Sequence, residues 1–112
     1  MSHTALNYEG SKDYKALRKQ MLDNLKGRGM TEKIYTDKVE EYMNLWLTLQ
    51  KLNEDIKQRG VQVPDYNGIL KENKSIAMSV QVSKQLLSLW NALGFKDYVL
   101  AINTDNEDTD EL

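Results

Sequence analysis

Residues 31–59, TEKIYTDKVEEYMNLWLTLQKLNEDIKQR, decide the fold. Within them Tyr35, Val39, Tyr42, Trp46, Leu49, Asn53 and Ile56 recur at alternating steps of four and three. Such steps keep side chains on one stripe of an α-helix that packs lengthwise against another helix. All are apolar except Asn53, which takes an a-type position, where a polar residue often sets register. Ile34, Leu45 and Leu52 widen the apolar arc on one side, whereas Met43 and Leu47 fall off it. So wide a face suits more than one packing partner. Gly60 offers the left-handed residue that ends the helix. The start has two candidates: Thr31 as the cap, or Asp37 with Glu40 three residues on as a capping box. Counted from Thr31, the helix is roughly 43 Å long at 1.5 Å per residue.

Toward the N-terminus, Gly27-Arg28-Gly29 breaks the pattern, and before it a first helix runs from a Ser11 cap to about Lys26. Tyr14, Leu17, Met21 and Leu25 fall within about 80° of one another on its surface. Lys12, Lys15, Lys19 and Lys26 share a separate arc about 60° wide, with Asp23 beside them. With Arg18 and Arg28 they form the candidate DNA-binding set. Residues 1–10 show no period and are expected to be flexible.

On the other side, residues 60–74 form a long connection with Pro64 and an Asn67-Gly68 turn signal. Val61/Val63 and Ile69/Leu70 are candidates to pair there as a small hairpin. A third helix is expected from Asn73 or Ser75 to Leu93, with Gly94 as its stop. Ile76, Val80, Leu87 and Trp90 make one apolar row, and Val82, Leu86, Leu89 and Leu93 make the next. With Met78 they cover roughly 200° of the helix, about twice the stripe a surface helix needs. A helix apolar on two sides wants cover on two sides, which a neighbouring copy can supply. The candidate core and self-association set is therefore Tyr35, Val39, Tyr42, Trp46, Leu49, Asn53, Ile56, Val80, Leu87 and Trp90. An apolar run at 98–102 follows, assigned to neither helix nor strand.

The fold class expected is all-α: a basic N-terminal helix, then a long helical hairpin that oligomerises. One helical domain spans 11–102, and 103–112 is an acidic tail expected to be disordered. Of the 17 acids in the 112-residue chain, five lie in 103–112 with no base among them. The remaining 12 face 15 bases, so residues 1–102 carry +3, and residues 11–28 alone carry +4. This basic front and acidic end needs a physical explanation.

The residue inventory excludes much chemistry. There is no cysteine, hence no disulfide, thiolate nucleophile or cysteine-bound zinc. The one histidine, His3, lies in the aperiodic terminus, so no nucleophile–base pair is expected. Glu40-Glu41 and Glu54-Asp55 read as solvated charge on a polar helix side, not as metal ligands. Gly27-Arg28-Gly29 lacks the Lys-Ser/Thr ending of a phosphate loop and reads as a helix stop. Trp46, Trp90, Tyr35 and Tyr42 stand at core spacing, which favours packing over base stacking. No catalytic, cofactor-binding or metal site is expected. Nor is a signal core or membrane span, since no stretch approaches ~18 apolar residues, and this suits the cytosol.

Several runs resemble small terminase subunits of tailed phages and prophages. They are Tyr14-x-x-Leu17-Arg18-x-x-Met21-Leu22-x-x-Leu25, Tyr35-x-Asp37-x-Val39-Glu40-x-Tyr42-x-x-Leu45-Trp46 and Glu54-Asp55-Ile56-x-x-Arg59-Gly60. Two more are Asn67-Gly68-x-x-Lys71-Glu72-Asn73 and Lys84-Gln85-Leu86-Leu87-x-Leu89, closing on Leu93-Gly94. Together they cover most of residues 13–95. Members often carry Pro after the Asn at the third helix start, where this chain has Lys74. The resemblance implies DNA packaging in a bacterial host's cytoplasm by a non-catalytic homo-oligomer, plausibly a ring. It further implies two partners, double-stranded phage DNA and a large subunit that holds the ATPase and nuclease. The matched positions are packing positions, so no functional residue carries over. Two other readings stand beside it, a small prophage DNA-binding regulator and a head-assembly adaptor that never touches DNA.

Overall fold

The computed structural model describes residues 8–95, so the expectations for His3, the run 98–102 and the segment 103–112 lie outside the described residues. A single 3-10 turn at Tyr8–Gly10 precedes three helices, α1 (Lys12–Gly27), α2 (Lys33–Arg59) and α3 (Lys74–Ala92). A two-stranded antiparallel sheet, β1 (Gln62–Pro64) and β2 (Leu70–Glu72), fills the connection between α2 and α3. The architecture is thus mostly helical rather than purely so. The strands pair Gln62 with Glu72, Val63 with Lys71 and Pro64 with Leu70, in a hairpin whose tip is closed by Asp65. The Asp65 carboxylate accepts from the Asn67 and Ile69 backbone N–H groups at 2.8 and 3.0 Å. Gly68 takes the positive φ of 83° that this tip requires.

α1 begins where the Ser11 hydroxyl accepts from the Tyr14 amide at 3.1 Å, satisfying one of the orphan donors of the first turn. It ends in a Schellman closure: Gly29 N–H bonds the Lys26 carbonyl and Met30 N–H bonds the Leu25 carbonyl. Gly29 adopts φ 76°, so Gly27-Arg28-Gly29 is a helix stop. α2 starts neither at Thr31 nor at Asp37. Glu32 takes the cap position without a side-chain bond, and Asp37 instead accepts an ion pair from Lys33 within the first turn. Gly60, at φ 84°, ends α2. Asn73 caps α3.

The core sits where α1 crosses the N-terminal half of α2. Met21, Leu25, Val39, Met43, Leu93 and Phe95 are buried there, with Tyr14, Leu17, Tyr35, Tyr42, Trp46 and Trp90 packed around them. Met43, which the apolar stripe of α2 leaves out, is completely buried. One helical turn beyond Val39, it faces α1, so α2 is packed on two flanks and not along one seam. α3 runs back along α2. Its start is tied to Asp55 and Gly60 near the end of α2, and its far end places Trp90 against Tyr42, ring centroids 5.8 Å apart.

Candidate nucleic-acid interface

α1 presents the six candidate cations in two groups. Lys12, Lys15, Lys19 and Lys26 are exposed on one side. Lys19 is bonded to Asp23 at 2.6 Å, which raises its pKa, but the pair is exposed and screened. Lys12, Lys15 and Lys26 have no ion-pair partner among the described residues.

The two arginines are engaged internally. Arg18 Nε donates to the Glu40 carboxylate at 3.0 Å, pinning α1 to α2 and raising the Arg18 pKa through that hydrogen bond. Arg28 Nη2 donates to the Leu93 carbonyl at 2.7 Å, Nε donates to Asn24 at 2.9 Å, and the guanidinium lies 5.4 Å from the Phe95 ring centre. Arg28 therefore fastens the end of α1 to the end of α3. The pattern of charges along α1 gave no sign of this, because both acceptors come from other helices.

The self-association candidates also divide. Val39 is buried, whereas Tyr35, Tyr42, Trp46, Leu49, Ile56 and Trp90 are half-buried. Asn53, Val80 and Leu87 are exposed. On α3, Val82 and Leu86 turn toward α2, while Met78, Val80 and Leu87 present apolar surface outward, Leu87 at 59% and Val80 at 50% exposure. A groove between α2 and α3 is lined by Leu49, Asn53, Ser79, Val80, Ser83, Lys84 and Leu87, which places residues from both sets of candidates side by side. The β-hairpin adds exposed Val61, Ile69 and Leu70, and Tyr66 at its tip is 96% exposed.

One constellation escaped the sequence reading altogether. Asn73 is fully buried and donates to Asp55 at 3.1 Å and to the Gly60 carbonyl at 3.0 Å, while its own carbonyl oxygen accepts from the Ser75 amide at 2.9 Å. Ser75 Oγ donates to Asp55 at 2.7 Å, and Arg59 forks onto both oxygens of the same carboxylate at 2.7 and 2.9 Å. Asp55, expected to be solvated charge, is the hub of this network. The Arg59 hydrogen bond, then that from Ser75, holds its carboxyl far below the ordinary carboxylate range. The signal available in the sequence was the i, i+4 pair Asp55–Arg59 ahead of Asn73, a cap type. The network is structural: it clamps the base of the α2–α3 hairpin and orients β1–β2.

Among the described residues, no three or more His, Cys, Asp or Glu gather in a way that could hold a metal ion. No helix of those residues is long and apolar enough to cross a membrane. The family model described as phage terminase, small subunit matches residues 15–97. Neither a curated protein nor a solved structure matches the chain.

Proposed function

The chain belongs to the phage terminase small-subunit family, and from that premise we propose that it acts in DNA packaging as a non-catalytic homo-oligomer that engages the viral DNA. In this reading it also regulates the large subunit, which carries the ATPase and nuclease, and hydrolyses nothing itself. The observation that carries the assembly is the outward apolar row Met78, Val80 and Leu87 on a helix whose other side already packs on α2. A second copy removes that surface from water, and repetition around a closed symmetry gives a ring.

DNA contact follows from assembly. A few exposed lysines on one copy offer few phosphate contacts, but an oligomer repeats Lys12, Lys15, Lys19 and Lys26 in every subunit, and linked weak sites gain avidity. The affinity should fall steeply with salt and show modest sequence preference, because phosphate contacts position without reading bases. The test is charge reversal at Lys15 and Lys19, with mass by light scattering and DNA affinity by anisotropy across a salt series. Neither residue belongs to the buried stripe, so the oligomer should persist while affinity and salt slope both drop. An intact oligomer with unchanged affinity and slope would sink the lysine contact. A monodisperse monomer at tens of micromolar would sink the assembly.

A further inference from the structure

Beside the lysine arc lies a groove of about 350 Å³ between α1 and the end of α3. Leu17, Met21, Trp90 and Phe95 form its apolar walls, and Gln20, Asp23 and Asn24 form its polar rim. Phe95 is both a wall of the groove and the last described residue. Two residues further on begins the run Tyr98-Val99-Leu100-Ala101-Ile102, and after it the five acids of 103–112. We propose that residues 98–102 of the same chain seat in this groove and carry the acidic segment along the lysine arc of α1, where it competes with nucleic acid.

Three observations support the assignment. The tether is short: two extended residues span only ~7 Å. A run tied so closely to the groove has an effective concentration on the order of millimolar, far above that of a separate partner. The groove and the lysine arc share a rim, because Gln20 and Asp23 lie on α1 between the groove-lining Asn24 and Leu17 and the four lysines. The lengths agree too, since ten extended residues reach ~33 Å, whereas the 16-residue α1 is ~24 Å long. Finally the charges are complementary: five acids meet Lys12, Lys15, Lys19 and Lys26, three of which have no ion pair among the described residues.

The seat can be tested without DNA, because the chain has no cysteine of its own. Gln20→Cys with Ala101→Cys should form a disulfide within one chain under mild oxidation, seen as a faster monomer band in non-reducing electrophoresis. Ala101→Cys with Thr48→Cys, on the exposed side of α2, should not. Absence of the Gln20–Ala101 bond overturns the seat, and a bond joining two chains hands the groove to a second copy.

The competition rests on the DNA reading above and has its own measurement. A chain ending at residue 102 should bind duplex DNA several-fold tighter than the full chain at low salt, with the gain vanishing at high salt. Equal affinities overturn the competition. If neither form binds DNA, the nucleic-acid reading falls with it, and the cross-link still decides the seat.

Discussion

Asn73 illustrates how much one buried polar residue can fix. Its side chain is simultaneously the cap of α3, a donor to the last turn of α2 and a partner of Asp55. Replacement by alanine strands the Gly60 carbonyl and a lobe of the Asp55 carboxylate, and it removes a helix cap. Losing a cap costs about 1 kcal/mol and an orphaned buried group about 1–3 kcal/mol. Asn73→Ala should therefore lower stability by about 2–4 kcal/mol in urea denaturation; a change under about 0.5 kcal/mol would show the network to be redundant. Asp55 adds a pH signature. Its folded-state pKa lies below its ordinary 3.8, so its contribution is present in full above that value and is lost as pH falls through the folded value. The stability gap between the wild type and Asp55→Asn should hold from pH 7 to about pH 5, then narrow as acid is added below about pH 4. A gap that stays constant down to pH 2 would place the effect outside the carboxylate's charge.

At the scale of elements, α1 and α3 end by the same device, and both ends were legible in the sequence as glycine stops. At the end of α3, Gly94 N–H bonds the Asn91 carbonyl and Phe95 N–H bonds the Trp90 carbonyl, and the Phe95 and Trp90 rings stack at 4.7 Å between centroids. This is a Schellman closure with its hydrophobic contact. What the glycine did not reveal is the destination of the next residue. Phe95 folds back into the core, and Arg28 reaches over from α1 to the Leu93 carbonyl, so three helix ends meet around one turn. Gly94 holds φ 82°, and a Cβ there would run into the Arg28 guanidinium. Gly94→Ala should cost about 1–2 kcal/mol through the left-handed strain alone, with a further loss from displacing Arg28. Unchanged thermal stability would rule out that crossing as a fastening point.

Periodicity and glycines located the helices to within a few residues, because those signals are local. The cap of α2 was misplaced because Glu32 makes no side-chain bond there to announce it. Met43, Arg18, Arg28 and Asp55 were misread for a single reason. Each takes its role from a partner distant in sequence, and a helical stripe shows only which side a residue occupies, not what is packed there. The candidate DNA set suffers from the same blindness, since two of its six members are engaged by other helices.

For the whole molecule, the question is what the surplus apolar surface of α3 does for the lysines of α1. Val80 and Leu87 are exposed, so charge there costs the isolated fold little, whereas within an interface it leaves an ion desolvated and unpaired. Val80→Glu with Leu87→Glu should therefore retain the helical circular dichroism of the wild type but reduce the light-scattering mass toward that of one 13.0 kDa chain. The same variant separates avidity from local charge. It keeps Lys12, Lys15, Lys19 and Lys26 in place, yet each subunit then meets DNA alone with only its own few phosphate contacts. If repetition of weak sites supplies the affinity, binding to duplex DNA should fall by about a hundredfold or more at low salt, the usual scale of avidity. The logarithmic salt slope should become shallower in step with the fewer phosphates engaged. A dissociated variant that binds as tightly as the wild type, with the same slope, would mean that one copy is a complete DNA-binding unit and that assembly serves some other task.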